Sequence, residues 1–72
     1  MSENTTYKVI EIVGTSKNSW EEAARSAVET AGKSVKDLRI AEVVKMDMVI
    51  EDGKVALFRA RLTLSFKYHP ED

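Results

Sequence analysis

The 72-residue sequence has no cysteine and only one histidine, and these scarcities exclude several kinds of site. Without cysteine the chain can form neither disulfides nor thiolate metal sites. The single histidine, His69, lies near the C-terminal end, so a histidine-based metal site would have to be shared between subunits. A chain of this size buries only about 60–65% of its unfolded surface, and small domains usually need an additional source of stability. Association between subunits is the source that the composition leaves open.

The charge balance and the short apolar runs exclude further classes of protein. Eleven Lys and Arg residues against 12 Asp and Glu residues give a net charge of −1, without the basic excess typical of nucleic-acid binding. No apolar run approaches the ~20 residues of a membrane-spanning helix, and no signal peptide precedes the first strand. We therefore expect no nucleic-acid partner and no membrane association. The lack of cysteine favours a cytoplasmic location.

The C-terminal half of the sequence predicts a long β-hairpin over residues 38–68. The even positions from Ala56 to Tyr68 are apolar, whereas the odd positions from Arg59 to Lys67 are polar. This alternation is typical of a strand with one buried face. Asp52–Gly53 between the two arms is typical of a tight hairpin turn, because both residue types tolerate positive φ.

The first arm of the hairpin, Leu38 to Ile50, alternates less regularly. Two apolar residues adjoin at Val43 and Val44, and we expect a β-bulge or a strong bend there. Before this point the alternation predicts that Leu38 and Ile40 share a face of the sheet.

A strand and a helix precede the hairpin. The strand is predicted from Tyr7 to Gly14. Ser19 and Glu22 have the capping-box spacing that begins a helix, and Gly32 is expected to end it. A single apolar stripe at helical spacing consists of Trp20, Ala23, Ala24, Ala27, Val28 and Ala31. Its alanines predict close packing on the sheet, and we expect Trp20 to pack in the core or in an interface.

The order β-α-β-β predicts an α+β fold. A right-handed crossover makes the first two strands parallel to each other, and the hairpin places the third strand between them. The result is a three-stranded antiparallel sheet in the order 2-3-1, packed on one helix. No second helix covers the other face of the sheet, which favours partner subunits. We take residues 1–72 as a single domain, with residues 1–6 flexible.

Residue chemistry alone reveals no catalytic constellation. His69 is expected to be solvated. The segment Gly14–Ser16 could bind an anion before the helix, although a plain turn before a capped helix explains it equally. Arg59 and Arg61 could also bind an anion, but salt bridges between subunits are the favoured alternative. Acidic residues that could hold a hard cation with symmetry mates, or could simply be surface charge, are Glu42, Asp47, Glu51 and Asp52.

Two stretches of the sequence resemble the dodecin family. One is Tyr7–Ser16, with its Val-Gly-Thr-Ser end, followed by the segment Trp20–Ala24. The other combines Ile40–Val43 with the strand Arg59–Lys67. The resemblance covers nearly the whole chain. It implies β-α-β-β subunits that assemble into a hollow homododecamer, and a non-enzymatic protein that stores or sequesters small ligands, often flavins, between subunits.

The sequence departs from the flavin-binding dodecins at the positions that contact flavin. Ile40 stands where those proteins carry an aromatic residue, usually Trp, that stacks on the flavin ring. Arg59 stands where they often carry Gln, and Asp47 where several members carry an Arg suited to the FMN phosphate. Loss of a stacking surface forfeits ~1–3 kcal/mol per ring face by analogy with base stacking. These differences argue against binding of FMN or riboflavin.

The departures resemble a dodecin subgroup that lacks the aromatic residue and is associated with calcium. The sequence therefore predicts a homododecamer that binds a small ligand or an ion between subunits. Its pocket would contain Ile40, Arg59 and Asp47, and its candidate calcium ligands are Asp47, Glu42 and Glu51. The alternative is a structural assembly or partner-binding module that retains no small-molecule ligand.

Overall fold

The alternating residues of the C-terminal half form a hairpin of two 14-residue strands. In the computed structural model, which describes residues 4–68, the elements are β1 (Tyr7–Ser16), α1 (Trp20–Gly32), β2 (Leu38–Glu51) and β3 (Lys54–Lys67). The predictions for residues 1–3, His69 and the C-terminal end lie outside the described residues. Just before β1, the backbone carbonyl of Thr6 accepts a hydrogen bond from the N–H of Tyr68 at 2.9 Å.

The three strands form one antiparallel sheet in the order β1-β3-β2, which confirms the predicted α+β topology. The hairpin turn has positive φ at Asp52 (53°) and Gly53 (76°), as a tight turn of this type requires. β1 pairs with β3 in an unbroken register from Tyr7 opposite Lys67 to Ser16 opposite Phe58. The central strand β3 is therefore paired on both sides along most of its length.

The pairing of β2 with β3 is interrupted three times. One register shift lies between Val43 and Lys45, which confirms the predicted bulge at Val44, and others lie between Leu38 and Ile40 and between Val49 and Ile50. Each extra residue changes the face on which the following side chains lie. The side chains of β2 therefore cannot be assigned to faces by simple alternation.

The sheet has two different faces, because residues opposite each other in a pair point to the same side. We call the side that packs on α1, with Leu62 and Leu64, the helix face. The opposite side, with Arg59 and Arg61, is the outer face. Leu38 pairs with Phe66 and packs against the core, whereas Ile40 pairs with Ser65 on the outer face. The prediction that Leu38 and Ile40 share a face is wrong, because a register shift lies between them.

Helix α1 begins as its sequence predicts, but only half of the capping box forms. The hydroxyl of Ser19 accepts a hydrogen bond from the N–H of Glu22 at 3.0 Å. The carboxylate of Glu22 takes the side-chain amide of Asn18 instead of the N–H of Ser19, which donates to the Ser16 hydroxyl. Ser16 and Ser19 thus satisfy the donors of this turn, as a plain turn before a capped helix would do.

The end of α1 differs from the prediction. Gly32 is the last residue of the helix and not a left-handed residue beyond it; Lys33, in the right-handed helical region, is the C-cap. The N–H groups of Ser34 and Val35 both donate to the carbonyl of Ala31, at 3.1 and 2.9 Å. These bonds satisfy the end of the helix without a positive φ, so glycine is not required there.

The core is small and lies between α1 and the helix face. Its buried members are Ala23, Ala27, Ala60, Leu62 and Leu64. The two helix alanines allow a close approach, and Gly14 on β1 makes it possible. A Cβ at Gly14 would collide with the carbonyl oxygen of Ala23 and would lie 2.7 Å from the Cβ of Ala27. The alanine stripe therefore packs tightly, as predicted.

Beyond this core, much of β2 is left uncovered. Its exposed large apolar side chains are Ile40, Val43, Val44, Met46, Met48 and Ile50. Met46 is 58% exposed although it points to the helix face, because α1 does not extend over this part of the hairpin. Within residues 4–68, no helix is long and apolar enough to cross a membrane.

Candidate functional site

Most of the predicted site residues lie on the outer face, at separate positions along β2. Asp47 is opposite Arg59, Glu42 is opposite Thr63, and Ile40 is opposite Ser65. Glu51 lies at the end of the hairpin, opposite Lys54. The structure thus brings Asp47 and Arg59 together and leaves Ile40, Glu42 and Glu51 apart from them.

Ile40 and Arg59 do not line one pocket within a single subunit. The partner of Ile40 on β3 is Ser65, which is six residues from Arg59 along the same strand. At about 3.3 Å per residue, the two positions are separated by about 20 Å. A pocket that contains both residues would therefore take them from different copies of the chain.

The centre of the outer face is a bidentate ion pair. The Nε of Arg59 lies 2.7 Å from Oδ1 of Asp47, and its Nη2 lies 2.8 Å from Oδ2. Two parallel charge-assisted hydrogen bonds of this kind combine affinity with a fixed geometry. Arg59 thus has its carboxylate partner in its own chain, which corrects the prediction of a salt bridge between subunits for this residue.

The pair is reflected in the acidity of both groups. The hydrogen bond from Arg59, with its positive charge, holds the pKa of Asp47 below its ordinary value of 3.8, with smaller contributions from Arg61 and Lys45. The hydrogen bond to Asp47 and its negative charge raise the pKa of Arg59. Both side chains are therefore charged throughout the neutral range.

The helix fixes the backbone behind this ion pair. The indole Nε1 of Trp20 donates a hydrogen bond to the backbone carbonyl of Asp47 at 3.0 Å. The Trp20 ring also meets Phe58, the neighbour of Arg59, edge-on, with ring centroids 5.0 Å apart. Trp20 has the packing role that its sequence predicts, and it additionally positions Asp47. Sequence reasoning missed this second role, because no local pattern links residues 27 positions apart.

Two more cations stand beside the ion pair. Lys45 and Arg61 lie directly opposite each other on the outer face, where like charges repel. Arg61 has a carboxylate at 4.0 Å, that of Glu11 on β1. The outer face around Asp47 therefore carries three cations, Lys45, Arg59 and Arg61.

The candidate metal ligands do not meet within one chain. Among residues 4–68, no group of three or more histidine, aspartate or glutamate side chains is close enough to hold a metal ion. Glu42 and Glu51 are each separated from Asp47 by about 13–16 Å along the strand. The carboxylate of Asp47 is already bound by Arg59, so a cation there would have to displace a guanidinium. A site built from these three residues would need more than one subunit.

Comparison with known proteins places these features in a family. The family model for Dodecin matches residues 6–69, nearly the whole chain. The chain belongs to the dodecin family. A protein described as calcium dodecin, from Mycobacterium tuberculosis, is 47% identical over 64 residues, which cover 89% of this chain and 90% of the relative.

Solved dodecin structures have the same fold. Dodecin from Streptomyces coelicolor matches with a TM-score of 0.89 and 37% identity, covering 97% of this chain and 100% of that one. The calcium dodecin of Mycobacterium tuberculosis, described as calcium-chelating with a novel calcium-binding site, matches with a TM-score of 0.81 and 44% identity. The latter match covers 94% of this chain and 97% of the other. The β-α-β-β subunit is thus that of the dodecins.

Proposed function

We propose that this dodecin is a cytoplasmic homododecamer, not an enzyme, that binds calcium or a small ligand at pockets between its subunits. The observation that carries the proposal is the 47% identity, over nearly the full length of both chains, to a calcium dodecin. Calcium prefers oxygen ligands, and carboxylates are available on β2 of this chain.

The uncovered hairpin supports assembly. A monomer would expose the apolar side chains of Met46, Met48 and Ile50 in a row on a long edge strand. Such an edge is normally covered by a partner, because exposed apolar strands promote association. The core contains only five buried apolar residues, so subunit contacts would also supply stability that the monomer lacks.

The pocket would be formed from Ile40, Arg59 and Asp47 of different subunits, and the ion would take carboxylates from Asp47, Glu42 and Glu51 of neighbouring copies. Flavin is the less favoured ligand. Ile40 offers no π-surface for stacking, and the guanidinium of Arg59 is occupied by Asp47. We therefore expect FMN and riboflavin to bind weakly.

The proposal is tested by calorimetric titration of chelator-treated protein with calcium. We expect saturable binding, with affinity reduced about tenfold or more in Glu42→Gln or Glu51→Gln if that carboxylate is a ligand. Glu29→Gln is the matched control, because Glu29 is an exposed carboxylate on α1, away from the outer face. Equal calcium affinity in all variants would rule out these ligands.

A second candidate function is a structural assembly without a retained ligand. It is favoured by the internal ion pair, which satisfies Asp47 and Arg59 without any ligand. Protein that assembles but binds neither calcium nor flavin in the same titrations would support this alternative.

A further inference from the structure

The side chain of Arg59 has the geometry of an anion-binding site, and Asp47 fills it. Arginine recognises phosphate and carboxylate groups through the same planar fork of N–H donors. Here two donors on one edge of that fork, Nε and Nη2, each bind a different oxygen of the Asp47 carboxylate. The chain therefore contains its own occupant for this site.

The surroundings would favour an anion if Asp47 were neutral. Asp47 lies in the field of Arg59, Arg61 and Lys45, and all three lower its pKa. Among the described residues, the only other acidic side chain in an ion pair with these cations is Glu11, which is 4.0 Å from Arg61. Loss of the charge on Asp47 would leave three cations with one distant carboxylate.

Asp47 is held in place from both sides of the sheet. Its carboxylate is bound by Arg59 on the outer face, and its backbone carbonyl accepts the hydrogen bond from Trp20. The strand register sets it directly opposite Arg59. A side chain fixed in this way does not have to be ordered when the ion pair forms, so an incoming anion competes with a preorganised partner.

We propose that Asp47 is a specificity-determining residue that acts as a built-in counter-ion, so that the pocket accepts uncharged or cationic ligands and rejects ligands that carry a phosphate group. This inference rests on the proposed function in one respect, namely that the outer face around Arg59 is part of the ligand pocket. It assigns the charge selectivity to the Asp47–Arg59 pair and not to Ile40.

The test uses riboflavin and FMN, which share a ring system and differ by a phosphate. The Ile40→Trp variant supplies a stacking surface, and Asp47→Asn and Asp47→Ala are each added to it. Fluorescence quenching then gives the ratio of FMN affinity to riboflavin affinity. We expect this ratio to rise about tenfold when Asp47 is neutralised, the size of one charge-assisted hydrogen bond. The gain should shrink at high salt.

Two controls separate the ion pair from general charge effects. Glu42→Gln removes a negative charge elsewhere on the outer face, opposite Thr63, and should leave the ratio unchanged. Adding Arg59→Gln to Asp47→Asn should abolish the gain, because the fork that binds phosphate is then missing.

The proposal is overturned if neither Asp47 variant raises the ratio, including by failure to bind FMN at all. A rise that persists without Arg59, or an equal rise in Glu42→Gln, overturns it as well. Failure of the proposed function would be seen separately, as a monomeric mass or absent calcium binding in the unsubstituted protein.

Discussion

Among single residues, the ion pair between Asp47 and Arg59 predicts a defined response to acid. The pKa of Asp47 is lowered in the folded chain, so the pair stabilises the fold above the ordinary value of 3.8 and this contribution is lost as the pH falls below it. We expect the unsubstituted protein to unfold at a higher denaturant concentration than Asp47→Asn at pH 7. The difference between the two should disappear as the pH falls well below 3.8. A difference that grows in acid would contradict this assignment.

Trp20 provides a second prediction for a single side chain. Trp20→Phe keeps an aromatic ring near Phe58 but removes the hydrogen bond to the carbonyl of Asp47. We expect a loss of about 0.5–1.5 kcal/mol in the free energy of unfolding, the usual worth of one such bond. Trp20→Ala should lose more, because the ring contact disappears as well. Chemical denaturation measures both, and equal stability of Trp20→Phe and the unsubstituted protein would argue against the hydrogen bond.

Between elements, the decisive contact is that of α1 with β1. Gly14→Ala would place a methyl group against the carbonyl of Ala23 and 2.7 Å from the Cβ of Ala27. Overpacking of this kind costs about 1–3 kcal/mol, and we expect that loss in the free energy of unfolding.

The matched control is the same substitution at the end of the helix. A Cβ at Gly32 meets nothing within 4 Å, and the residue is helical. Gly32→Ala should therefore be neutral or stabilise the protein by up to about 1 kcal/mol. The opposite ranking of the two variants would mean that α1 packs differently on the sheet.

The elements themselves follow from sequence, whereas their register does not. The alternation of β3, the Asp52–Gly53 turn and the alanine stripe predict the strands, the helix and their order. Continued without interruption from the turn, the register of Glu51 with Lys54 would place Asp47 opposite Phe58. A one-residue shift between Val49 and Ile50 moves it opposite Arg59. No local propensity marks this shift, so the ion pair at the centre of the site could not be predicted.

For the whole molecule, assembly should depend on the uncovered apolar residues of β2. Met46→Glu introduces a charge at a position that is 58% exposed in the single chain. We expect it to weaken assembly, because burial of an unpaired charge in an interface is costly. Met46→Leu is the control, because it keeps an apolar side chain of similar size.

Light scattering after size exclusion distinguishes the two outcomes. A dodecamer of 8.1 kDa chains has a mass of about 97 kDa. Met46→Leu should keep this mass, and Met46→Glu should shift towards smaller species. A full-size Met46→Glu assembly would place Met46 outside the interfaces.

The need for partners was predictable at this scale from what the chain lacks. The absence of cysteine and the small core leave association as the available source of stability. Which surfaces meet was not predictable from alternation alone, because exposure on β2 depends on where α1 ends over the sheet. Met46 illustrates this, since it has the parity of a buried residue and lies beyond the helix.

The bulge at Val44 has a consequence for the curvature of the subunit. Val44 is the extra residue of the pairing, because Val43 and Lys45 are opposite the adjacent residues Leu62 and Arg61. Deletion of Val44 would leave every other side chain on its present face but would remove the local bend and twist that a bulge imposes. In a closed shell, the bend of each subunit fixes the angle at which neighbours meet. We expect the deletion variant to fold, by circular dichroism, yet fail to close into the same particle by mass.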